Sequence, residues 1–268
     1  MNKDKELKIK TTRAKVYAIT SGKGGVGKTS IAINLSITLS KAGARVLLID
    51  ADMGLANVDL MTGISANRTI EQVLSGEASI FDALAEGPEG LTILPASSGL
   101  GHIQEMGQEG LMLFRRELLK LENAFDLVFI DTGAGISANV VDFIFMADEV
   151  IVVMTPEPTA FADAYAVVKL VTVQKPEMKV GVIVNIVKND EESERIFTKF
   201  NEISRRFLER TIVYRGSIVR DNAIGQSVMR QIPLALTANS SPSMHSIRKI
   251  AKNLLGAKTA YKGRLFNR

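Results

Sequence analysis

No cysteine occurs among the 268 residues. Disulfides, thiol catalysis, zinc–thiolate sites and cysteine-held iron–sulfur clusters are therefore excluded. Tryptophan is absent too, and the two histidines, His102 and His245, lie far apart in the chain, which leaves little for a histidine metal site. No apolar run reaches the roughly 18 residues of a membrane span. The opening MNKDKELKIKTTRAK is charged and lacks the apolar stretch of a secretory signal. A cytoplasmic protein is expected. Long one-sided composition is missing as well: 46% hydrophobic and 23% charged residues match an ordinary soluble globule and argue against a disordered, collagen-like or coiled-coil chain.

What is present is an uneven charge. The net charge is +4, yet residues 222–268 hold eight Lys and Arg with no Asp or Glu, and residues 1–15 hold six against two acids. The segment between is acidic by difference, at about −8. Basic ends on an acidic body fit a solvated tail, nucleic acid or an anionic membrane surface.

Apolar runs of strand length recur at 16–20, 45–50, 91–95, 127–131, 150–155, 180–187 and 212–218. Most are continuous rather than alternating, as in a parallel sheet covered on both faces. Helical patterns lie between them. One opens at Thr29 and runs to Lys41, and a last one spans about 244–255 with Gly256 as a stop signal. Over 192–209, Ile196, Phe200, Ile203 and Phe207 share one helical face, expected to be core. Strand–helix alternation along the whole chain predicts a single α/β domain, a doubly wound and mostly parallel sheet with helices on both faces. The expected division is a basic extension over 1–14, the domain over 15–256 and a basic tail over 257–268.

After the first strand comes Gly22-Lys23-Gly24-Gly25-Val26-Gly27-Lys28-Thr29, which fits the phosphate-loop pattern G-x-x-x-x-G-K-[ST] and leads through Ser30 into a helix. The glycines let the backbone wrap around phosphates with its N–H groups inward. The helix N-terminus adds positive partial charge. Lys28 is expected at the β/γ-phosphates and the Thr29 hydroxyl at Mg²⁺. The second strand ends in Ile49-Asp50-Ala51-Asp52, where a carboxylate can hold Mg²⁺ or orient water, and the fourth in Phe129-Ile130-Asp131-Thr132-Gly133, an apolar strand closing on an acid. Asp131 is expected to hold Mg²⁺. Asn185 is expected at the end of the sixth strand.

Lys23 is more than a plain phosphate loop needs. Gly-Lys-Gly-Gly-x-Gly-Lys-Thr resembles the deviant loop of the MinD/ParA ATPases, and the resemblance covers roughly 15–255. It implies ATP and Mg²⁺ as ligands and slow, dimerisation-activated hydrolysis. Lys23 would reach the partner subunit's phosphates, Asp52 would position the attacking water, Gly133 would begin the second of two switch segments, and Asn185 with the loop around Pro233 would hold the adenine. The absent cysteines, the scattered tyrosines and the single phosphate loop set aside the iron–sulfur carriers, bacterial tyrosine kinases and arsenite-pump branches.

The stretches Asp52-Met53-Gly54-Leu55-Ala56-Asn57-Val58-Asp59, Asp131-Thr132-Gly133-Ala134-Gly135-Ile136 and Glu157-Pro158-Thr159 with Asp163-Ala164-Tyr165 are similar to the flagellar-number branch (FlhG, or FleN). That branch implies an ATP-dependent homodimer at the membrane. Its partners would be the SRP-type GTPase FlhF, flagellar switch (C-ring) proteins or a flagellar transcription regulator. Residues 1–14 lack the Asp-Gln-Ala-containing helix with which some flagellar relatives stimulate FlhF. Septum-site MinD and DNA-partition ParA are the alternatives. The tail AKTAYKGRLFNR places Tyr261 and Leu265 on one helical face beside Phe266, with four cations around them. Such a segment fits an anionic membrane surface; a solvated tail and a DNA contact are the other readings.

Overall fold

The computed structural model describes residues 13–52, 57–64, 67–96, 107–238 and 240–255. Residues 1–12, the stretch 53–56 and the tail 257–268 fall outside these, and so does the expected stop at Gly256.

Eight strands form one sheet: β1 (Lys15–Ser21), β2 (Val46–Ala51), β3 (Ala85–Glu86), β4 (Thr92–Leu94), β5 (Leu127–Ala134), β6 (Glu149–Met154), β7 (Lys179–Val187) and β8 (Val213–Val219). Their order is β3-β4-β2-β5-β1-β6-β7-β8. Every neighbouring pair is parallel except β3–β4. All seven expected runs are strands. The added one, β3, has two residues paired antiparallel at an edge, too short to leave an apolar pattern. The strand closing on Asp131 is thus the fifth in sequence. Asn185 sits in the seventh, two residues before its end rather than at it.

The described α-helices are α1 (Lys28–Lys41), α2 (Asn57–Thr62), α3 (Ile70–Leu74), α4 (Gly107–Leu119), α5 (Ala138–Phe145), α6 (Pro158–Gln174), α7 (Asp190–Leu208), α8 (Asn222–Arg230), α9 (Leu234–Thr237) and α10 (Pro242–Leu255). Side chains alternate across the sheet. Tyr17, Ile19, Leu48 and Phe129 face α1 and α10, with Leu35, Leu39, Ile247 and Ile250 closing that layer. Ala18, Val150, Val152 and Val182 face α6 and α7, and Leu47, Ile49 and Val128 face α3 and α4. Because both faces are covered, the strands read as unbroken apolar runs.

Two expected core positions do not join the core: Ile203 is only half-buried, and Phe207 faces solvent. In α7, Phe200 is fully buried and Ile196 packs against the same layer, but Phe207 is 63% exposed. The buried stripe passes instead through Ser193, Phe197, Ser204 and Leu208. Phe207 lies one position off that stripe and carries the Arg206 guanidinium 5.3 Å from its ring centroid. At the amino end of the sheet, Glu149 is buried and held by the Arg215 guanidinium, and Gly181 leaves the space these two side chains fill.

Candidate nucleotide site

The expected residues gather at the carboxyl ends of β1, β2, β5 and β7, around the point where the chain switches from one half of the sheet to the other, the place where open α/β sheets bind ligands. The glycine-rich turn leaves β1 at Gly22. A side chain there would meet the Asp163 backbone oxygen of α6 at 2.2 Å, so only glycine permits this approach. Gly25 and Gly27 adopt left-handed φ of 76° and 92°. Gly24 and Gly25 are exposed, whereas Val26 is buried beneath them. Gly27 caps α1 without a side-chain bond, and the first turn of α1 holds no acid. Its N–H groups at Lys28, Thr29 and Ser30 therefore present an uncompensated positive end, suited to an anion.

Beneath the loop lies a buried carboxylate pair. Asp50 and Asp131 are register partners on β2 and β5, and both are fully buried. Asp50 holds the turn after β2 by accepting the Asp52 and Val58 N–H groups, each at 3.2 Å. Burial, with Asp131 beside it, pushes its carboxyl up to about 8 despite those two bonds. The Asp131 carboxyl is raised by burial to about 7, while the Thr29 hydroxyl and the Lys28 ammonium pull it down. Both Asp131 oxygens are buried without a hydrogen bond of ordinary geometry. A buried carboxylate of this kind costs free energy unless a cation or donor meets it. An orphaned carboxylate beside the Thr29 hydroxyl is a donor set that fits a hydrated Mg²⁺.

Asp52 is half-buried, and its Oδ1 lies 3.7 Å from the point where a side chain would begin on Gly133. The two turns after β2 and β5 therefore adjoin. The turn after β5 is tied to the phosphate loop, since the Gly135 N–H donates to the Ser21 carbonyl at 2.8 Å. Asn185 also belongs to the loop: its Nδ2 donates to the Val26 carbonyl at 2.7 Å, and Gly27 must lack a Cβ to leave that amide room. The amide oxygen accepts the N–H of Ile186, a β-branched residue held at φ 61° where the β7–β8 register shifts. Backbone strain of this kind persists only where its surroundings impose it.

Lys23 is exposed at the rim. Its ammonium lies 3.0 Å from a Glu157 carboxylate oxygen and 3.5 Å from the Thr159 hydroxyl, both at the start of α6. Pro233 is buried and caps the N-terminus of α9. The structure thus brings Lys28, Thr29, Asp52, Asp131 and Asn185 to one crevice, with Lys23 on its edge and Pro233 on an adjoining segment.

Two contacts escape sequence reasoning. Glu157 is 134 positions from Lys23, and Asn34 is 201 positions from the Ala235 N–H it accepts. For Asn34 one signal existed: it is an amide set between Ile33 and Leu35 in a segment otherwise made of aliphatic and small residues.

A family model described as an AAA domain matches residues 14–180. Over 219 residues the chain is 37% identical to the antiactivator FleN of Pseudomonas aeruginosa, a match spanning 81% of this chain and 77% of that protein. It is 34% identical over 239 residues to the flagellum site-determining protein YlxH of Helicobacter pylori, spanning 88% and 80%. Its fold matches that of the septum site-determining protein MinD complexed with Mg-ADP from Pyrococcus horikoshii OT3, with a TM-score of 0.75 at 26% identity over 92% of this chain and 99% of that one. A phosphate loop with a second lysine, a buried carboxylate beneath it and relatives of this similarity have one common explanation: the chain belongs to the MinD/ParA family of P-loop ATPases.

Proposed function

We propose that this ATPase is a nucleotide-driven dimeric switch that sets flagellar number or placement and works at an anionic membrane surface. The observation that carries the reading is the crevice itself, an uncapped phosphate loop over the orphaned Asp131 carboxylate with an unburied lysine at its rim. The similarity to FleN and YlxH supports the flagellar role.

In this reading Lys28 and the N–H groups of residues 24–29 bind the β- and γ-phosphates. Thr29 and Asp131 hold Mg²⁺, which supplies neutralisation of the phosphate charge. Asp52 orients a water for attack on the γ-phosphorus; the bond to the β–γ bridging oxygen breaks, and ADP and phosphate leave. Asn185 and the segment around Pro233 take the adenine. Lys23 acts in trans on the partner's phosphates, where positive charge stabilises the charge that develops in the transition state. Its ion pair with Glu157 must then open before the dimer closes.

That pair is exposed on both sides, so it contributes at most about 1 kcal/mol. Glu157→Gln should strengthen ATP-dependent dimerisation, but by no more than about thirtyfold, because two such pairs open per dimer at about 1.4 kcal/mol per decade. Analytical ultracentrifugation with ATP measures this, and a weakened dimer would show that Glu157 instead helps closure.

The membrane arm rests on residues 257–268. Four cations, each worth about 1 kcal/mol near an anionic surface, and a small apolar face give one tail a marginal hold. Two tails in a dimer bind far more avidly. The test is flotation of the Asp52→Ala protein with anionic vesicles and ATP, with and without the tail, at low and high salt. Flotation should need ATP and the tail together and should weaken with salt. Equal flotation of full-length and truncated chains would remove the tail from the mechanism. Sedimentation with DNA in place of flotation would favour a partition role.

A further inference from the structure

We propose that Asn34, together with Lys41, is a positioning residue that fixes the base-binding segment at a set distance from the phosphate loop. The proposal rests on the reading that residues 231–235 take the purine of a nucleoside triphosphate. It goes beyond that reading because neither α1 residue is assigned to the base itself; both act on the segment through the Ala235 backbone.

The geometry is a two-point grip on the backbone of one residue. Asn34 is 1% exposed, deep in the middle of α1. Its Oδ1 accepts the Ala235 N–H at 2.8 Å. Its Nδ2 donates to the Ser30 carbonyl at 2.7 Å, one turn back toward the phosphate loop. Two turns further on, Lys41 Nζ donates to the Ala235 carbonyl at 2.8 Å. Residues 34 and 41 stand seven apart and so share a face of α1. Both backbone groups of Ala235, two residues after Pro233, are thus held by side chains of the helix whose first turn is the phosphate cradle.

The arrangement answers a local need. Helix α9 has four residues, so few of its N–H groups find partners within it. Ala235 is buried, and its N–H requires an acceptor that water cannot supply. The chain enters α9 through Gln231, which is left-handed at φ 54°, and Pro233, so the entry leaves little freedom once Ala235 is fixed. A site that recognises two ends of one ligand works only when those ends are held to within a fraction of an ångström. Here α1 is the ruler, with the phosphates at its N-terminus and the base segment clamped to its side.

A purine nucleotide must feel this ruler, and a base-free triphosphate must not. The experiment is calorimetric titration of ATP and of inorganic tripolyphosphate, each with Mg²⁺, into wild type, Asn34→Leu, Asn34→Asp and Lys41→Met. Wild type should prefer ATP at least tenfold. Asn34→Leu should lose at least tenfold in ATP affinity while tripolyphosphate binding stays within about twofold. Asn34→Asp, which keeps the acceptor for the Ala235 N–H, should retain most of the preference, and Lys41→Met should reduce it a few-fold. An Asn34→Leu protein with the wild-type preference, whether both affinities hold or both fall together, overturns the proposal. Should Asn34→Leu fail to fold, an unchanged preference in Lys41→Met overturns it instead. A wild-type protein that binds both ligands equally overturns the base-segment reading itself, an outcome seen before any variant is made.

Discussion

Lys28→Ala should weaken ATP binding by a hundredfold or more. The side chain is buried at the mouth of the crevice, where its ammonium can meet both the β- and γ-phosphates. Each charge-assisted hydrogen bond lost is worth about 1.5–3 kcal/mol, and two such losses exceed two decades in Kd at about 1.4 kcal/mol per decade. Removing the ammonium also takes away a cation that pulls down the buried Asp131 carboxyl. The fold should survive, because the glycine turn and the apolar layers do not depend on Lys28. Calorimetric titration with Mg·ATP and a thermal melt of the free protein check the two halves of this expectation. Wild-type affinity in the variant would overturn the phosphate-loop assignment.

Asp52→Ala should leave ATP affinity within a few-fold and slow hydrolysis by about 10²–10⁴, the usual range for a positioned acid–base group. The half-buried carboxylate adjoins Gly133, and the loop that carries it is held by Asp50, not by Asp52 itself. Its removal therefore spares the cradle. With binding intact and turnover stopped, the variant should collect as an ATP dimer on size-exclusion chromatography. Lys23→Ala should stay monomeric under the same conditions, because its charge acts on the partner. Normal turnover by Asp52→Ala would remove that residue from the chemistry, and an ATP dimer of Lys23→Ala would remove the trans role of Lys23.

The site is legible in the sequence to the extent that it is contiguous. Gly25 and Gly27 are needed for positive φ, and Gly22 for its approach to α6; such demands are met by residue type at a fixed offset. Asp52 and Asp131 could be placed because each closes an apolar strand, and the strands of a parallel sheet deliver their ends to one edge. Asn185 was found as a strand-end residue, but its bond to Val26 pairs positions 159 apart and carries no local trace. The Lys23–Glu157 and Asn34–Ala235 contacts are of the same kind. Each partner alone is an ordinary polar residue with several uses.

The sequence alone determined the alternation of strands and helices, the burial of the sheet on both faces, the phosphate loop and the carboxylates around it. All of these follow from apolar period, glycine stereochemistry and chain order, which are properties of neighbouring residues. The tertiary structure alone decided that Phe207 points to solvent while Phe200 on the same helix packs inward, that two residues at 85–86 add an antiparallel edge, and that one buried asparagine ties α1 to Ala235. These depend on which helix lies against which face and at what distance. Such distances arise from the packing of segments up to two hundred residues apart, and no local pattern encodes them.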